Sequence, residues 1–358
     1  MAEPFITTVV GSMPKPPWLY RQVPLDTKGF DHHGTGSDWL LEGDQLHNAQ
    51  DDAVRLAIYD QESAGVRIIS DGEQRRKTYL TSVTSRLGGF DYETLAEKWI
   101  RDGRRLAQVG RCTGPVEWRG PIIVDDLRFL LTNTTSPVKV TLPGPMTVTD
   151  STFDDYYGDE RTFALAVADA INQEAKALDA LGPAVIQFDE PVFSRYPDKV
   201  AEWGIEALDL CAAGLRAQTA VHVCYSYTIP GVERPIRPSY PQILAELERS
   251  QIDQLALEFH APQLDPELLE LCPSKTVLFG CVDNAKPEVE NAEVIAQRLL
   301  AAAEHHDPEK LQAAPDCGLV LLSQATARAK LSALFRGAQI ARDQLADPRG
   351  RAHGHHRH

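Results

Sequence analysis

No stretch of the chain approaches the roughly 20 consecutive apolar residues that cross a bilayer, so no membrane-spanning helix is expected. Positive charge is in short supply. Lys and Arg total 36 against 51 Asp and Glu, a formal net charge of -15. Such a surface repels phosphate backbones and anionic lipid, which argues against nucleic-acid and membrane-surface partners. The opening residues, Met1-Ala-Glu-Pro-Phe5, carry neither the basic n-region nor the apolar h-region of a secretory signal, so the expected location is cytoplasmic. Internal repeats and low-complexity linkers are missing from the body of the chain. What is there is ordinary globular usage, with 43% hydrophobic and 24% charged residues, which excludes wholesale disorder. A length of 358 residues leaves two ordinary domains or one large α/β barrel. The six cysteines are scattered: Cys112, Cys211, Cys224, Cys272, Cys281 and Cys317. Without an export signal they read as reduced thiols, and any near a histidine becomes a metal or catalytic candidate.

A single rhythm runs along the sequence: a short apolar run, a polar motif, then a helical stretch. The runs are Thr7–Val10, Val66–Ser70, Val138–Leu142, Ala184–Phe188, Thr219–Val223, Gln254–Glu258, Thr276–Gly280 and Glu309–Ala313. They are apolar rather than alternating, as in parallel strands covered by helices on both faces. Helices are expected at about Asp44–Ala64, Thr162–Leu181, Pro241–Ser250, Ala292–His305 and Gln324–Leu345. Eight β/α units predict an α/β protein built as a single (β/α)8 TIM barrel over residues 1–346, with an open doubly wound sheet as the alternative. The unusual polar residues fall at the C-terminal ends of the runs, where barrel enzymes build their sites. Tyr79 to Ser136 is long and mixed and reads as an insertion after the second strand. Residues 347–358, ending His-Gly-His-His-Arg-His, read as a disordered His-rich tail.

The chemistry concentrates at the strand ends. In His222-Val-Cys224 an imidazole and a thiol lie two residues apart, on one face of a strand. A His-x-Cys pair alone is a common core arrangement. Glu258, Cys317 and Cys281 occupy equivalent strand-end positions, however, and an acid is rarely buried without a partner. One nitrogen, one carboxylate and two sulfurs suit tetrahedral zinc better than a hard cation. At this stage Cys317 and Cys281 compete for the fourth ligand position, while Cys112, Cys211 and Cys272 read as structural. Asp71-Gly-Glu73 and Asp189-Glu-Pro191 also end strands. Asp71 fits a helix N-cap, whereas Glu73 and Asp189 are placed to receive a substrate ammonium. Gly11-Ser12 can offer backbone N–H groups to a carboxylate. Arg75-Arg76-Lys77 is a local basic run, either a solvated face or a receiver of an anionic substrate. His260 fits a capping role better than proton transfer.

Taken in order, Val10-Gly-Ser-Met-Pro14, Ser70-Asp-Gly-Glu73, Pro143-Gly-Pro145, Gln187-Phe-Asp-Glu-Pro191, His222-Val-Cys224, Glu258, Gly280-Cys-Val-Asp283 and Pro315-Asp-Cys-Gly318 resemble the catalytic barrel of the cobalamin-independent methionine synthase family. The resemblance covers about Thr7 to Leu345. It implies Zn2+ held by His222, Cys224, Glu258 and Cys317, which favours Cys317 over Cys281. It implies homocysteine bound through the Gly11-Ser12 backbone, Glu73 and Asp189, with its thiol activated as a thiolate by zinc for methyl transfer to methionine. The chain departs from the family in three ways. The second, N-terminal barrel of full-length members is not expected here. The tryptophan that stacks on the pterin falls near Ser151, where none is found. The histidine that protonates the folate falls near Ala285, in Val282-Asp-Asn-Ala-Lys286, and is absent. The thiol half of the site is therefore expected intact, with the methyl donor open between a folate and a corrinoid protein. An epoxyalkane:coenzyme M transferase resembles the same zinc barrel. There Arg75, Arg76 and Lys77 would receive the sulfonate. A non-enzymatic metal- and thiol-binding accessory protein is the third reading.

Overall fold

A computed structural model describes residues 2–23, 37–226 and 234–347. Seven parallel strands form one curled sheet in the order Ile6–Thr7, Leu311–Pro315, Thr276–Val282, Gln254–Leu257, Gln218–Val223, Val185–Asp189 and Lys139–Pro143. Almost every residue of the inner strands is buried, so both faces are covered, as the unbroken apolar runs require. Registers are regular across most of the sheet, with Asp189 opposite His222. A shift between Gly280 and Val282 lets Val282 pair with Pro315. Residues 67–70 run between the two sheet edges. They are joined by single parallel bridges from Thr8 to Ile68 and from Ile69 to Val138.

The helices expected from the sequence are present with small changes at their ends. Helix Glu160–Asp179 starts at Asp159, whose carboxylate accepts the Thr162 N–H. Helix Ala292–Ala303 is capped by Asn291, and Gln324–Ala346 by Ser323. In each case the cap satisfies a donor that the first helical turn leaves unpaired. Helix Gly43–Ser63 precedes the bridged segment, and its buried Val54, Ala57 and Ile58 belong to the main core.

The long mixed segment contains an antiparallel hairpin, Gly88–Ile100 with Arg105–Glu117, and a helix, Val124–Thr132. The short strand Thr152–Asp154 adds to the hairpin in parallel. The His-rich tail from residue 348 onward lies outside the described residues. No described helix is long and apolar enough to cross a membrane.

Candidate metal and thiol site

Three of the four expected metal ligands meet. His222 and Cys224 end the strand Gln218–Val223, and Cys317 follows Leu311–Pro315. Their ligand atoms all lie within 4.8 Å of one another, and all three residues are buried. The two sulfurs are 3.9 Å apart. His222 Nδ1 lies 3.4 Å from Asp189 Oδ1, and its Nε2 is buried with no hydrogen-bond partner among the described residues. The Cys317 thiol donating to Cys224, with His222 alongside, holds the Cys224 thiol well below its ordinary value. Burial opposes charge on His222, but the Cys224 thiolate and Asp189 outweigh it and carry the imidazole up to about 10. Two buried cysteine sulfurs and an orphaned imidazole nitrogen form a donor set that fits a soft or borderline cation such as zinc.

The fourth expected ligand is engaged elsewhere. Glu258 Oε2 accepts the Tyr225 N–H at 2.7 Å, and Oε1 lies 2.5 Å from Arg234 Nη2. Cys281, the competing candidate, is outside the ligand group. Its Sγ packs 3.6 Å from the Ala314 carbonyl, and burial raises its thiol far above the ordinary value.

The residues expected to receive the amino acid lie around the same corner. Glu73 has a left-handed φ of 56°, and Asp71 caps this turn by accepting the Glu73 N–H at 2.8 Å. Glu73 Oε1 accepts from Thr141 Oγ1 at 2.7 Å and from Arg76 Nη1 at 3.2 Å. Burial pushes the Glu73 carboxyl up, against the pull of Arg76. Gln187 Nε2 donates to both Val10 O (2.8 Å) and Asp189 Oδ1 (2.9 Å), tying the first strand end to the fourth apolar run. Leu319 N–H donates to Ser12 O at 3.0 Å, and Val320 N–H to Ser12 Oγ at 3.3 Å. A Cβ on Gly318 would stand 2.2 Å from that hydroxyl. Gly318 is small because Ser12 fills its place, so the Gly11-Ser12 turn docks directly on the loop that carries Cys317.

Several structural acids escaped the sequence reading. Glu190, fully buried, accepts the Met146 and Thr147 N–H groups at 3.1 and 2.8 Å, at the start of helix Pro145–Asp150. A Cβ on Gly144 would lie 2.2 Å from the Glu190 carboxyl carbon. Pro143-Gly-Pro145 and Asp189-Glu-Pro191 are therefore two halves of one lock. Asp316 accepts the N–H groups of Phe259, His260 and Ala261 at 2.7–3.1 Å, which fixes the loop after Glu258. His260 is held in this turn by its backbone N–H, with Nε2 3.9 Å from Glu290 Oε1.

The basic run 75–77 is consumed internally. Arg75 pairs with Asp51 at 2.5 Å, buried Arg76 with Glu73, and Lys77 with Asp38 at 3.0 Å. At the expected place of the pterin-stacking ring, Ser151 accepts a hydrogen bond from Arg101 at 2.9 Å. Near Ala285, Asp283 accepts the Ala285 and Lys286 N–H groups in a tight turn.

Residues 5–340 match the family model described as cobalamin-independent synthase, catalytic domain. The chain belongs to the cobalamin-independent methionine synthase family. A methionine synthase of Sulfurisphaera tokodaii is 30% identical over 340 residues, 95% of this chain and 93% of that protein. One from Thermococcus kodakarensis is 30% identical over 342 residues, 95% and 94% of the two chains. Among solved structures, a B12-independent methionine synthase from Shewanella sp. W3-18-1, in complex with selenomethionine, is 38% identical. It superposes with a TM-score of 0.88 over 96% of this chain and 99% of that one. Family membership makes the protein a methyltransferase of the S-methyltransferase type.

Proposed function

We propose that this protein transfers a methyl group to homocysteine to form methionine. The observation that carries the reading is the meeting of His222, Cys224 and Cys317 beside two buried carboxylates, Glu73 and Asp189. The printed names of its relatives and the selenomethionine held by the Shewanella protein point the same way. We also propose that residues 67–70 act as the eighth strand of a closed (β/α)8 barrel over residues 1–346, with the hairpin as an insertion after the second strand. The two bridges at Ile68 and Ile69 support that closure.

His222, Cys224 and Cys317 would hold zinc, and Glu258 would complete the set by exchanging its Arg234 contact for the metal. Zinc bound there lowers the pKa of a thiol and favours its nucleophilic thiolate. Asp189, 3.4 Å from His222 Nδ1, orients the imidazole so that Nε2 is free to ligate. Glu73 and Asp189 receive the substrate ammonium, and the backbone of the Gly11-Ser12 turn receives its carboxylate. The sulfur then lies against the metal corner because Ser12 docks on the Cys317 loop. In the reaction the thiol gives its proton to solvent, its sulfur forms a new S–C bond to the methyl carbon, and the methyl–donor bond breaks with its electron pair staying on the donor. Positioning the two reactants accounts for much of the acceleration. The competing coenzyme M reading relied on Arg75, Arg76 and Lys77, and each of these is already engaged with an acid.

The test is a donor screen with homocysteine as acceptor, following methionine by mass. Cobalt substituted for zinc gives a spectroscopic report of thiol binding. Methionine formation together with a homocysteine-induced change in the cobalt spectrum is expected. A spectrum that responds to coenzyme M and not to homocysteine would overturn the reading.

A further inference from the structure

The hairpin tip makes a feature that the thiol reaction does not use. Arg101, Asp102 and Gly103 have consecutive left-handed φ angles of 56°, 58° and 72°. The turn they form is pinned to segments that follow two sheet strands. Arg101 Nη1 donates to Asp150 at 2.5 Å and to Ser151 at 2.9 Å. The Asp102 N–H donates to Tyr196 Oη at 2.5 Å, and the Asp102 carboxylate pairs with Arg237. Arg195, next to Tyr196, is 3% exposed. Its two Nη atoms donate to the carbonyls of Tyr225 (2.8 Å) and Pro235 (3.2 Å). Arg234 bonds the Ser226 carbonyl at 2.7 Å and reaches Glu258.

Arginines from three separate segments thus converge beside the thiol corner. Arg101, Arg234 and Arg237 each have a carboxylate partner. Arg104 and Arg195 have no carboxylate partner among the described residues. Arg195 Nε and Arg104 Nη2 are buried without any hydrogen-bond partner there. Buried guanidinium donors are costly to leave unmade. The crowding is visible electrostatically: burial, then Arg104, with Arg234 and Arg237 adding, brings Arg195 down to about 10. In a protein of net charge -15, two neighbouring guanidiniums with no carboxylate partner among the described residues offer a place for an anion.

We infer that Arg104 and Arg195, with Arg234 beside them, bind an oxyanion carried by the methyl donor and so hold the donor against the thiol. The inference rests on the methyl-transfer reading given above. The amino and carboxyl groups of the acceptor are already matched by Glu73, Asp189 and the Gly11-Ser12 turn, which leaves the donor as the charged partner. A guanidinium fork suits a carboxylate or a phosphodiester equally.

Two pairs of probes separate these sources. One pair is tetrahydrofolate triglutamate and its monoglutamate, which differ in carboxylates. The other is cobalamin and cobinamide, which differ in the nucleotide phosphodiester. Affinities are measured by calorimetry on the full-length zinc-loaded chain, wild type and Arg104→Gln, Arg195→Gln and Arg104→Lys. In one pair, the anion-richer probe is expected to bind wild type more tightly. Arg104→Gln should weaken it at least about tenfold while moving its counterpart less than about twofold. Arg104→Lys should restore part of the loss, and the affinity for homocysteine should stay put. Arg104 lies at the hairpin tip, so its variant remains informative if Arg195→Gln fails to fold. Equal weakening of both members, or no preference for the anion-richer probe in either pair, overturns the inference. Loss of homocysteine binding by the wild type would instead overturn the methyl-transfer reading.

Discussion

The thiol side and the arginine side of this site are built by different means. On the thiol side, each group sits at or just after the end of a parallel run and is locked by buried, short-range bonds. Asp189 is paired with His222 across adjacent strands. Ser12 docks on the Cys317 loop, and Asp316 fixes the turn after Glu258. On the arginine side, the groups come from a hairpin tip and from loops, and Arg104 and Arg195 each keep a buried N–H without a partner among the described residues. The difference teaches where each kind of chemistry needs rigidity. A metal corner needs ligand positions set to a fraction of an ångström, which strand ends provide. A site for a large charged partner needs charge and reach, which loops provide.

The sharpest way to break this contrast is at the metal corner. Cys317→Ser is expected to lose zinc, measured by elemental analysis of purified protein. It should also lower methionine formation by more than the roughly 10–100-fold that removal of an outer ligand partner causes. A full zinc equivalent retained in that variant would remove Cys317 from the ligand set. Asp189→Asn tests the outer partner itself. It keeps the shape but weakens both the support of His222 and the capture of the ammonium. A loss of about 10–100-fold in kcat/KM is expected, with weaker zinc retention against a chelator. Unchanged metal affinity together with a raised homocysteine KM would confine Asp189 to the amino group.

The two halves were also unequally legible from sequence. The thiol side was readable because parallel strands put their chemistry at their ends. His222-Val-Cys224, Cys317, Asp189 and Glu73 each follow an apolar run, and the fold brings those ends together. Glu190 and Asp316 stand beside the site residues in sequence, but their role leaves no sequence signal. Their partners are backbone N–H groups of distant loops, and backbone leaves no mark in a side-chain pattern. The second apolar run shortened to isolated bridges at Ile68 and Ile69, since strand length depends on neighbours as well as composition. The arginine side is not legible in the sequence. Arg75-Arg76-Lys77 is a charge cluster along the chain but not in space, because Asp51, Glu73 and Asp38 meet it residue by residue. Arg104, Arg195 and Arg234 are far apart in sequence and share no period, so only folding reveals them as neighbours.

A smaller effect is expected at the junction between Ser12 and the Cys317 loop. In Gly318→Ala the new methyl would stand 2.2 Å from Ser12 Oγ, so the hydroxyl must rotate away and give up the Val320 N–H. Thermal unfolding should report a loss of about 1 kcal/mol, the ordinary value of one such bond. The homocysteine KM should rise several-fold while the donor KM is unchanged. A donor KM that moves as much as the homocysteine KM would mean that the two halves are not separately positioned.

The smallest functional effect is expected from Arg75→Gln, and its smallness is informative. Arg75 is held by Asp51 at 2.5 Å and by Asp126 at 3.8 Å, and it lies over the Phe129 ring at 4.8 Å. Its charge is therefore already answered within the chain, and an incoming anion would have to displace two acids to use it. Removing it should lower stability by about 1–3 kcal/mol, because a charged hydrogen bond is lost and Asp51 keeps only His47, at 3.9 Å. It should leave the donor KM within about twofold. A tenfold rise in donor KM from Arg75→Gln, in protein that still unfolds cooperatively, would return the anion site to residues 75–77 and erase the distinction between the two basic groups. An unchanged KM there, beside a raised one in Arg104→Gln, would show that the loops carry the charge recognition and the strand ends the thiol chemistry.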